Sequence, residues 1–263
     1  MELGIKNKSV LITAASKGIG KAIAECFLSE GCKVIISSGN KDNLNKTANE
    51  LSVKYKTKVE WMKCDLNNFE ELKELHAFVQ TKFDGPDILV NNCGGPIAGY
   101  FDVLDESNWE YAYNQVLMSA VRLIKLSVPR MKEKKWGRII NITSLTVKQP
   151  IDHLLLSNTF RAGLTAVSKS LSNQLAKFNI TVNNLAPGYT LTDRVDHLIK
   201  IKAEETKSSI DDVMLSFTKD IPAQRMANPM EIGSVAVFLA SEKASYINGT
   251  TIQVDGGSIK GLL

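Results

Sequence analysis

Two glycines close together in the segment TAASKGIG, residues 13–20, are the first candidates for a chemical role. The apolar run SVLITAA leads into this segment and a helical pattern follows it, so Gly18 and Gly20 lie where a strand turns into a helix. Glycines at such a turn let the backbone approach a pyrophosphate, which the unpaired N–H groups and the dipole of the helix N-terminus then bind. A tight turn without a ligand would contain the same glycines, so the segment alone leaves both interpretations open.

Further polar and glycine-containing segments follow other apolar runs. They are Asp65, NNCGG at 91–95, ITS at 142–144 and APGYTLT at 186–192. In a parallel sheet these positions share the edge at the carboxyl ends of the strands, where α/β proteins bind dinucleotides. Any one of them could be a structural turn, but together, and in this order, they predict a binding groove along that edge.

The elements that must position these groups alternate between short apolar runs and longer helical patterns. We count seven strand candidates, and we expect helices at about 107–134, 157–178 and 229–241. Such alternation is typical of βαβ units and of a parallel sheet covered on both faces. The sequence therefore predicts one α/β domain over residues 1–263, a Rossmann-like doubly wound parallel sheet of about seven strands flanked by helices.

Residues 190–224 depart from this alternation, because they are charged and amphipathic. They would lie outside the carboxyl ends of the strands, so they could form a substrate lid, although an ordinary solvated pair of helices would have the same pattern. Their apolar side chains could contact an apolar substrate or attach the helices to the core. These residues are Leu198, Ile199, Ile201, Met214, Leu215 and Phe217.

The composition indicates a soluble globular protein. Hydrophobic residues make up 44% of the 263 residues and charged residues 23%, and the net charge is only +4, so we predict no nucleic-acid partner. No stretch approaches the ~20 apolar residues of a membrane span, and the N-terminus lacks the pattern of a secretory signal. The four cysteines have no metal-ligand spacing. We therefore expect reduced thiols, no metal and a cytoplasmic location.

These motifs together resemble the classical short-chain dehydrogenase/reductase family, close to its 3-oxoacyl-[acyl-carrier-protein] reductase and glucose 1-dehydrogenase branches. The likeness extends from about residue 6 to residue 258, and the segment IPAQRMANPMEIGSVAVFLASEKASYINGTTIQVDGG is especially similar. It implies an oxidoreductase that interconverts a carbonyl and an alcohol by hydride transfer. The resemblance assigns cofactor contacts to Thr13, Ser16, Lys17, Gly18, Ile19, Gly20, Ser38, Asp65, Leu66, Asn91, Gly94, Arg161, Pro187, Gly188 and Thr192.

The segment after the second strand predicts which cofactor is bound. A carboxylate there would accept hydrogen bonds from the ribose 2′-OH of NAD, whereas basic residues favour the 2′-phosphate of NADP. The sequence has no carboxylate at Ser37, Ser38 or Gly39, and Lys17 supplies a nearby positive charge. We predict NADP(H), with NAD(H) as the alternative, because Lys17 could also be a solvated loop lysine. One departure from the family is Ala14, where the first glycine of the loop is usual and where a positive φ would strain alanine.

The expected catalytic side chains are largely replaced. The resemblance places Ser144 at the family's serine, but thirteen residues later Ser157 stands where tyrosine is usual, and four beyond that Arg161 stands where lysine is usual. None of the six tyrosines has a lysine four residues later, so no shift of register restores the pair. The helix position that holds asparagine in the family aligns with Val116, and Asn114 would point elsewhere.

The replacements change what the site can do. Residues 157 and 161 would face the same groove, being i and i+4 on a helix. Arg161 can donate hydrogen bonds to the nicotinamide ribose, but with a pKa above ~12 it cannot relay protons. The substitute acids we consider are His153, Tyr189 and a water held by Ser144 and Ser157. His153 has a suitable ordinary pKa near ~6.5, although it could equally be a solvent-exposed loop residue.

Two functions are therefore open. The first is an NAD(P)(H)-dependent oxidoreductase with an atypical active site and a small-molecule carbonyl or alcohol substrate. The second is a catalytically inactive sensor or oligomer partner that binds a nucleotide or metabolite on the same fold. The retained cofactor motifs favour the enzyme. The resemblance also implies a homotetramer, or alternatively a homodimer, that pairs the helices near 107–134 and 157–178.

Overall fold

The computed structural model describes residues 2–262, apart from the side chains of Arg194, His197 and Leu198. Seven strands form one sheet in the order β3-β2-β1-β4-β5-β6-β7, and all six pairings are parallel. The predicted Rossmann-like sheet of seven strands is thus confirmed. The strands are β1 (Ser9–Ile12), β2 (Lys33–Ser38), β3 (Glu60–Lys63), β4 (Ile88–Asn91), β5 (Gly137–Ile142), β6 (Ile180–Pro187) and β7 (Thr251–Val254).

Helices cover both faces of the sheet. Because successive side chains of a strand point to opposite faces, Val10 and Ile12 join the core beneath one helical layer and Leu11 joins the other. The first layer contains α1 (Gly18–Ser29), α2 (Lys41–Tyr55) and α9 (Pro229–Ala240), and the second contains α3 (Phe69–Phe83), α5 (Ser119–Lys134) and α6 (Leu155–Leu175). The remaining α-helices are α4 (Glu106–Ala112), α7 (Asp193–Thr206) and α8 (Ile210–Thr218).

The helix predicted over 107–134 contains a stretch of π-helix. Tyr113–Met118 lies between α4 and α5 and widens the turns there. Within this stretch Asn114 donates its side-chain amide to the Glu110 carbonyl, and Val116 is buried. The α6 helix begins at Leu155, two residues before the predicted start.

The charged segment 190–224 contains helices α7 and α8, which enclose a small core of their own. Ile199 and Val213 are buried in this core, with Met214 and Phe217 packed against it. Leu215 is exposed. The side chain of Leu198 lies outside the described residues. Among the described residues, no helix is long and apolar enough to span a membrane.

A row of buried polar side chains crosses the sheet and holds α6 in place. Asn91, Asn141 and Asn184 are directly paired across β4, β5 and β6. The Asn91 amide donates to Asn141 Oδ1 at 2.8 Å, and the Asn141 amide donates to Ser168 Oγ of α6 at 2.8 Å. Since buried polar groups are costly when unpaired, these bonds fix the position of α6 on the sheet, and hence of Ser157 and Arg161.

Candidate active site

The loop between β1 and α1 is shaped by its glycines. Gly18 has a φ of +56°, which glycine adopts without strain. Gly20 packs so closely that a Cβ there would overlap the Ala14 carbonyl oxygen and lie 2.8 Å from Ala15 Cα and from Asn92 Nδ2. Because no side chain fits at residue 20, the loop folds tightly and directs the N-terminus of α1 toward the carboxyl edge of the sheet.

Ala14 adopts the positive φ that would strain an alanine, at +46°. Replacing it with glycine should raise the free energy of unfolding by about 0.5–1 kcal/mol, because the left-handed conformation costs alanine about 1–2 kcal/mol and the greater freedom of unfolded glycine offsets part of the gain. Urea unfolding of the purified variant measures this change. As a control, Ala15→Gly should destabilise the protein, because Ala15 is buried and has no positive φ. A lower stability of Ala14→Gly would show that residue 14 is not strained.

The loop is bonded to the segment after β4. Thr13 Oγ1 donates to the Asn92 carbonyl at 2.6 Å and accepts from the Asn92 backbone N–H at 2.9 Å. The Asn92 amide also donates to the Ala14 carbonyl at 3.2 Å. Asn92 lines the groove, whereas Asn91, the residue expected there, is buried in the polar row beneath it. Successive residues at the end of β4 point to opposite sides, so Asn91 and Asn92 have different surroundings. Both belong to the segment NNCGG, and of the two only Asn91 was predicted to line the groove.

A cavity of about 160 Å³ opens beside the ends of β2 and β3, at residues for which the family resemblance implies cofactor contacts. Asp65 lies at this cavity, and its Oδ1 accepts from the backbone and side-chain N–H groups of Asn67. Burial raises the pKa of the neighbouring Cys64 thiol to about 12, so this cysteine is an unreactive part of the wall. The lining includes the expected Ser38, Leu66 and Gly94, together with Tyr111 and Gln115, which the sequence did not single out.

The middle of the groove, about 260 Å³, runs along the glycine loop. Ser16 Oγ and Ser38 Oγ are 2.9 Å apart and join the loops after β1 and β2. Thr192 Oγ1 accepts from the Val195 N–H at 3.4 Å and so caps α7 at the opposite wall. The expected residues brought together here are Ser16, Lys17, Gly18, Ile19, Gly20, Ser38, Gly94 and Thr192.

A basic cavity of about 370 Å³ lies on the outer side of the glycine loop, against α2. Lys17, Lys21 and Lys46 line it, together with the carboxylates of Glu50 and Asp193. Lys21 is engaged by Glu50 at 2.7 Å, whereas Lys17 and Lys46 form no ion pair with any described side chain. This cavity can therefore accept an additional anionic group next to Ser16.

The fourth cavity, about 280 Å³, holds the residues expected to be catalytic. Ser144, Ser157 and Arg161 all line it, as do Pro187 and Gly188. Ser144 follows β5 and Ser157 lies in the first turn of α6, so the sheet and the helix bring the two serines to one site. Thr146 connects them, because its N–H donates to Ser144 Oγ at 3.2 Å and its Oγ1 lies 3.3 Å from Ser157 Oγ.

Arg161 is a buried cation at the junction of the fourth cavity with the groove. It is only 6% exposed, and its Nη1 donates to the carbonyls of Ile142 at 2.8 Å and Thr143 at 3.0 Å. Its Nη2 lies 3.8 Å from Cys93 Sγ, and its Nε has no partner within the described part of the chain. Because residues 157 and 161 are i and i+4, both side chains reach the same cavity, as the spacing predicted.

Two of the candidate acids lie apart from this cavity. His153 is exposed, and its carbonyl accepts a hydrogen bond from the Gly99 N–H of the β4–α4 loop at 2.7 Å. Tyr189 lines a different cavity and packs edge-on against Phe217, with ring centroids 5.6 Å apart. Of the acids considered, only a water held by Ser144 and Ser157 has its anchoring groups in the cavity.

Comparison with known proteins identifies the family of the chain. Residues 13–258 match the family described as enoyl-(acyl carrier protein) reductase. The chain belongs to the classical short-chain dehydrogenase/reductase family. It is 33% identical to a 3-oxoacyl-[acyl-carrier-protein] reductase of Aquifex aeolicus, with 98% of this chain and 99% of the relative covered. It is also 30% identical to an NADPH-dependent reductase of Bacillus subtilis, with 98% and 100% covered.

Solved structures of short-chain dehydrogenases/reductases share the fold closely. L-sorbose reductase from Gluconobacter frateurii, complexed with NADPH and L-sorbose, superposes with a TM-score of 0.97 at 33% identity, and both chains are covered in full. An NADPH-dependent reductase involved in bacilysin biosynthesis gives a TM-score of 0.92 at 30% identity, with 98% of this chain and 100% of that chain covered. The family assignment makes this chain a member of a group of NAD(P)-dependent oxidoreductases.

Proposed function

We propose that the protein is an NADP(H)-dependent oxidoreductase that interconverts a carbonyl and an alcohol, with an atypical set of catalytic side chains. The observation that carries this proposal is the continuity of the groove with the cavity of Ser144, Ser157 and Arg161. Ile19, Asn92 and Cys93 line both of them. A dinucleotide bound along the glycine loop would therefore end beside the two serines.

The residues present fit a nicotinamide dinucleotide. Gly20 has no side chain, and its close approach to Ala14 and Ala15 keeps the loop tight at the N-terminus of α1, where a pyrophosphate would bind. Arg161 presents a buried Nε that has no partner among the described residues, and a ribose hydroxyl is a suitable acceptor for it. When bound, the nicotinamide supplies or accepts the hydride.

The proton path in this proposal uses hydroxyl groups and water. Ser144 and Ser157 orient the substrate oxygen and hold a water that donates or accepts the proton. Thr146 lies 3.3 Å from Ser157 Oγ and fixes the position of that hydroxyl. The Arg161 guanidinium stabilises the negative charge that develops on the substrate oxygen, since a fixed cation is most effective in a buried site.

The preference for NADP(H) over NAD(H) is supported by the basic cavity. Ser38 places a hydroxyl where a carboxylate would repel the 2′-phosphate, and the amines of Lys17 and Lys46 line the adjoining space. The structural relatives in complex with NADPH and the NADPH-dependent reductase of B. subtilis agree with this choice.

Replacing Lys17 with glutamine should raise the Kd for NADPH about tenfold and leave the Kd for NADH unchanged. A charge-assisted contact with a phosphate contributes about 1.5 kcal/mol, and the ribose of NADH carries no phosphate there. Fluorescence titration with each cofactor measures both constants. Lys41→Gln is the matched control, because Lys41 is exposed and lies outside the cavity lining. An equal loss of affinity for the two cofactors would exclude the 2′-phosphate role.

The reaction itself is tested with deuterated cofactor. The protein is incubated with NADPH deuterated at nicotinamide C4 and a panel of ketones and aldehydes, and the alcohols formed are examined by mass spectrometry. The proposal requires one deuterium on the carbinol carbon of the product. Alcohol product without deuterium would contradict hydride transfer from the cofactor.

A further inference from the structure

The cavity at Ser144 has two unlike halves. One is formed by residues of the cofactor groove. The other is formed by Gly95, Pro96 and Ala98, which follow β4, and by Leu154, which precedes α6. The body of a substrate would lie on this second half, and the hydroxyls of Ser144 and Ser157 line the same cavity.

The other polar side chains of the lining are already engaged, except for the Arg161 Nε, which the proposed function assigns to the cofactor ribose. The Asn92 amide donates to the Ala14 carbonyl, Thr143 Oγ1 donates to the Leu185 carbonyl at 2.7 Å, and Arg161 donates to two carbonyls of β5 and the segment after it. The two serines can orient one reacting oxygen. Besides the serines, this leaves few groups of the described lining for several substrate hydroxyls, and buried hydroxyls without partners weaken binding.

The segment 95–104, GPIAGYFDVL, which we name the apolar loop, continues this second half outward. Four of its side chains, Ile97, Tyr100, Phe101 and Val103, are between 56% and 79% exposed. The loop is held against the start of α6 by the Gly99 N–H, which donates to the His153 carbonyl at 2.7 Å. Asp102 is its single charged residue. Contiguous exposed apolar side chains beside a cavity mark a binding surface.

We propose that the substrate is a ketone or aldehyde with an extended alkyl body, and that the apolar loop binds this body while Ser144 and Ser157 hold the carbonyl. This inference rests on the proposed function, because it names the substrate class of the same site. Two features of the structure carry it: the lining has few free partners for a polyhydroxylated molecule, and the loop that bears the exposed apolar side chains contributes Gly95, Pro96 and Ala98 to the cavity.

Binding of unreactive analogues tests the inference independently of turnover. Linear alkanamides from butanamide to decanamide carry a carbonyl that NADPH does not reduce, and their Kd for the NADPH-loaded protein is measured by calorimetry. We expect the affinity to rise about threefold per added methylene, as for transfer of an alkyl chain from water to an apolar surface. An affinity that stays constant along the series would overturn the inference.

Substitution of the loop locates the alkyl body. For the longer amides, Phe101→Ser should reduce the gain in affinity per added methylene to less than about twofold, because it removes the most exposed aromatic surface of the loop. Val53→Ser on α2 is the matched control, since Val53 is 80% exposed but lies elsewhere, and it should leave the series unchanged. If Phe101→Ser instead changes the mass measured by light scattering and leaves the series unchanged, the loop is a subunit interface and the inference falls.

Turnover distinguishes this inference from the proposed function. With 2-alkanones, kcat/KM should rise along the same series, and ketohexoses such as L-sorbose should be reduced poorly. A preference for a ketohexose would contradict the inferred alkyl substrate but would still agree with the proposed oxidoreductase function. If the amides bind with the expected chain-length dependence but no ketone, aldehyde or alcohol is converted, the result supports the alkyl-binding site and contradicts the proposed oxidoreductase activity.

Discussion

Gly20→Val should raise the Kd for both NADPH and NADH at least a hundredfold. The added Cβ would overlap the Ala14 carbonyl oxygen and approach Ala15 Cα and Asn92 Nδ2 within 2.8 Å. Two of these atoms belong to the backbone, so the clash cannot be relieved by rotating a side chain. The loop must move away from α1, and the N–H groups that would bind the pyrophosphate lose their alignment.

The same substitution should lower the free energy of unfolding by about 1–3 kcal/mol, as overpacking of a close contact usually does. Fluorescence titration gives the affinities and urea unfolding gives the stability. Gly163→Ala is a suitable control, because a Cβ at residue 163 makes an ordinary contact of 3.6 Å with Leu117. It should keep the affinity of the native protein. Unchanged cofactor affinity in Gly20→Val would mean that the glycine loop is only a structural turn.

Arg161→Ala should reduce kcat/KM with the best substrate at least a hundredfold. Removing a fixed charge or donor from a developing oxyanion costs about 3–4 kcal/mol in comparable sites. The Kd for NADPH should also rise about tenfold, since the ribose contact proposed for the guanidinium is lost. Steady-state kinetics and cofactor titration separate these two effects.

Stability and a charge-conserving variant provide the controls for Arg161. Alanine leaves the carbonyls of Ile142 and Thr143 without their donor and creates a cavity, so we expect a loss of about 1–3 kcal/mol in the free energy of unfolding. Arg161→Lys keeps the charge and can still donate to one of these carbonyls, and it should retain more activity than alanine. A folded Arg161→Ala protein with kcat/KM within twofold of the original would contradict the role given to this residue.

The sequence predicted the sheet well, because hydrophobic periodicity and turn residues determine it locally. All seven strands appear, and Gly18 and Gly20 lie where the strand-to-helix turn was expected. The π-helical stretch at Tyr113–Met118 was not predictable, since no residue pattern in the helix distinguishes it from an ordinary turn.

The candidate site was predicted less completely, because several of its contacts depend on tertiary packing. The role of Thr146 between the two serines and the approach of Lys46 to the glycine loop arise from elements far apart in sequence. We predicted that Asn91 lines the groove, but Asn92 does so, because the exact end of β4 determines which of the two side chains points into the groove. The homotetramer, the cytoplasmic location and the lid role of residues 190–224 stay predictions.

The most direct test of the central claim is to titrate the purified protein with NADPH and NADH, following nicotinamide fluorescence, and then to measure oxidation of bound NADPH against ketones, aldehydes and ketohexoses. We predict tighter binding of NADPH than of NADH, and oxidation that depends on an added carbonyl compound although no tyrosine among the described residues lines the cavity of Ser144. Tight binding without oxidation by any carbonyl compound would contradict the claim and favour an inactive nucleotide-binding protein. Absence of binding would show that the groove does not hold a nicotinamide cofactor.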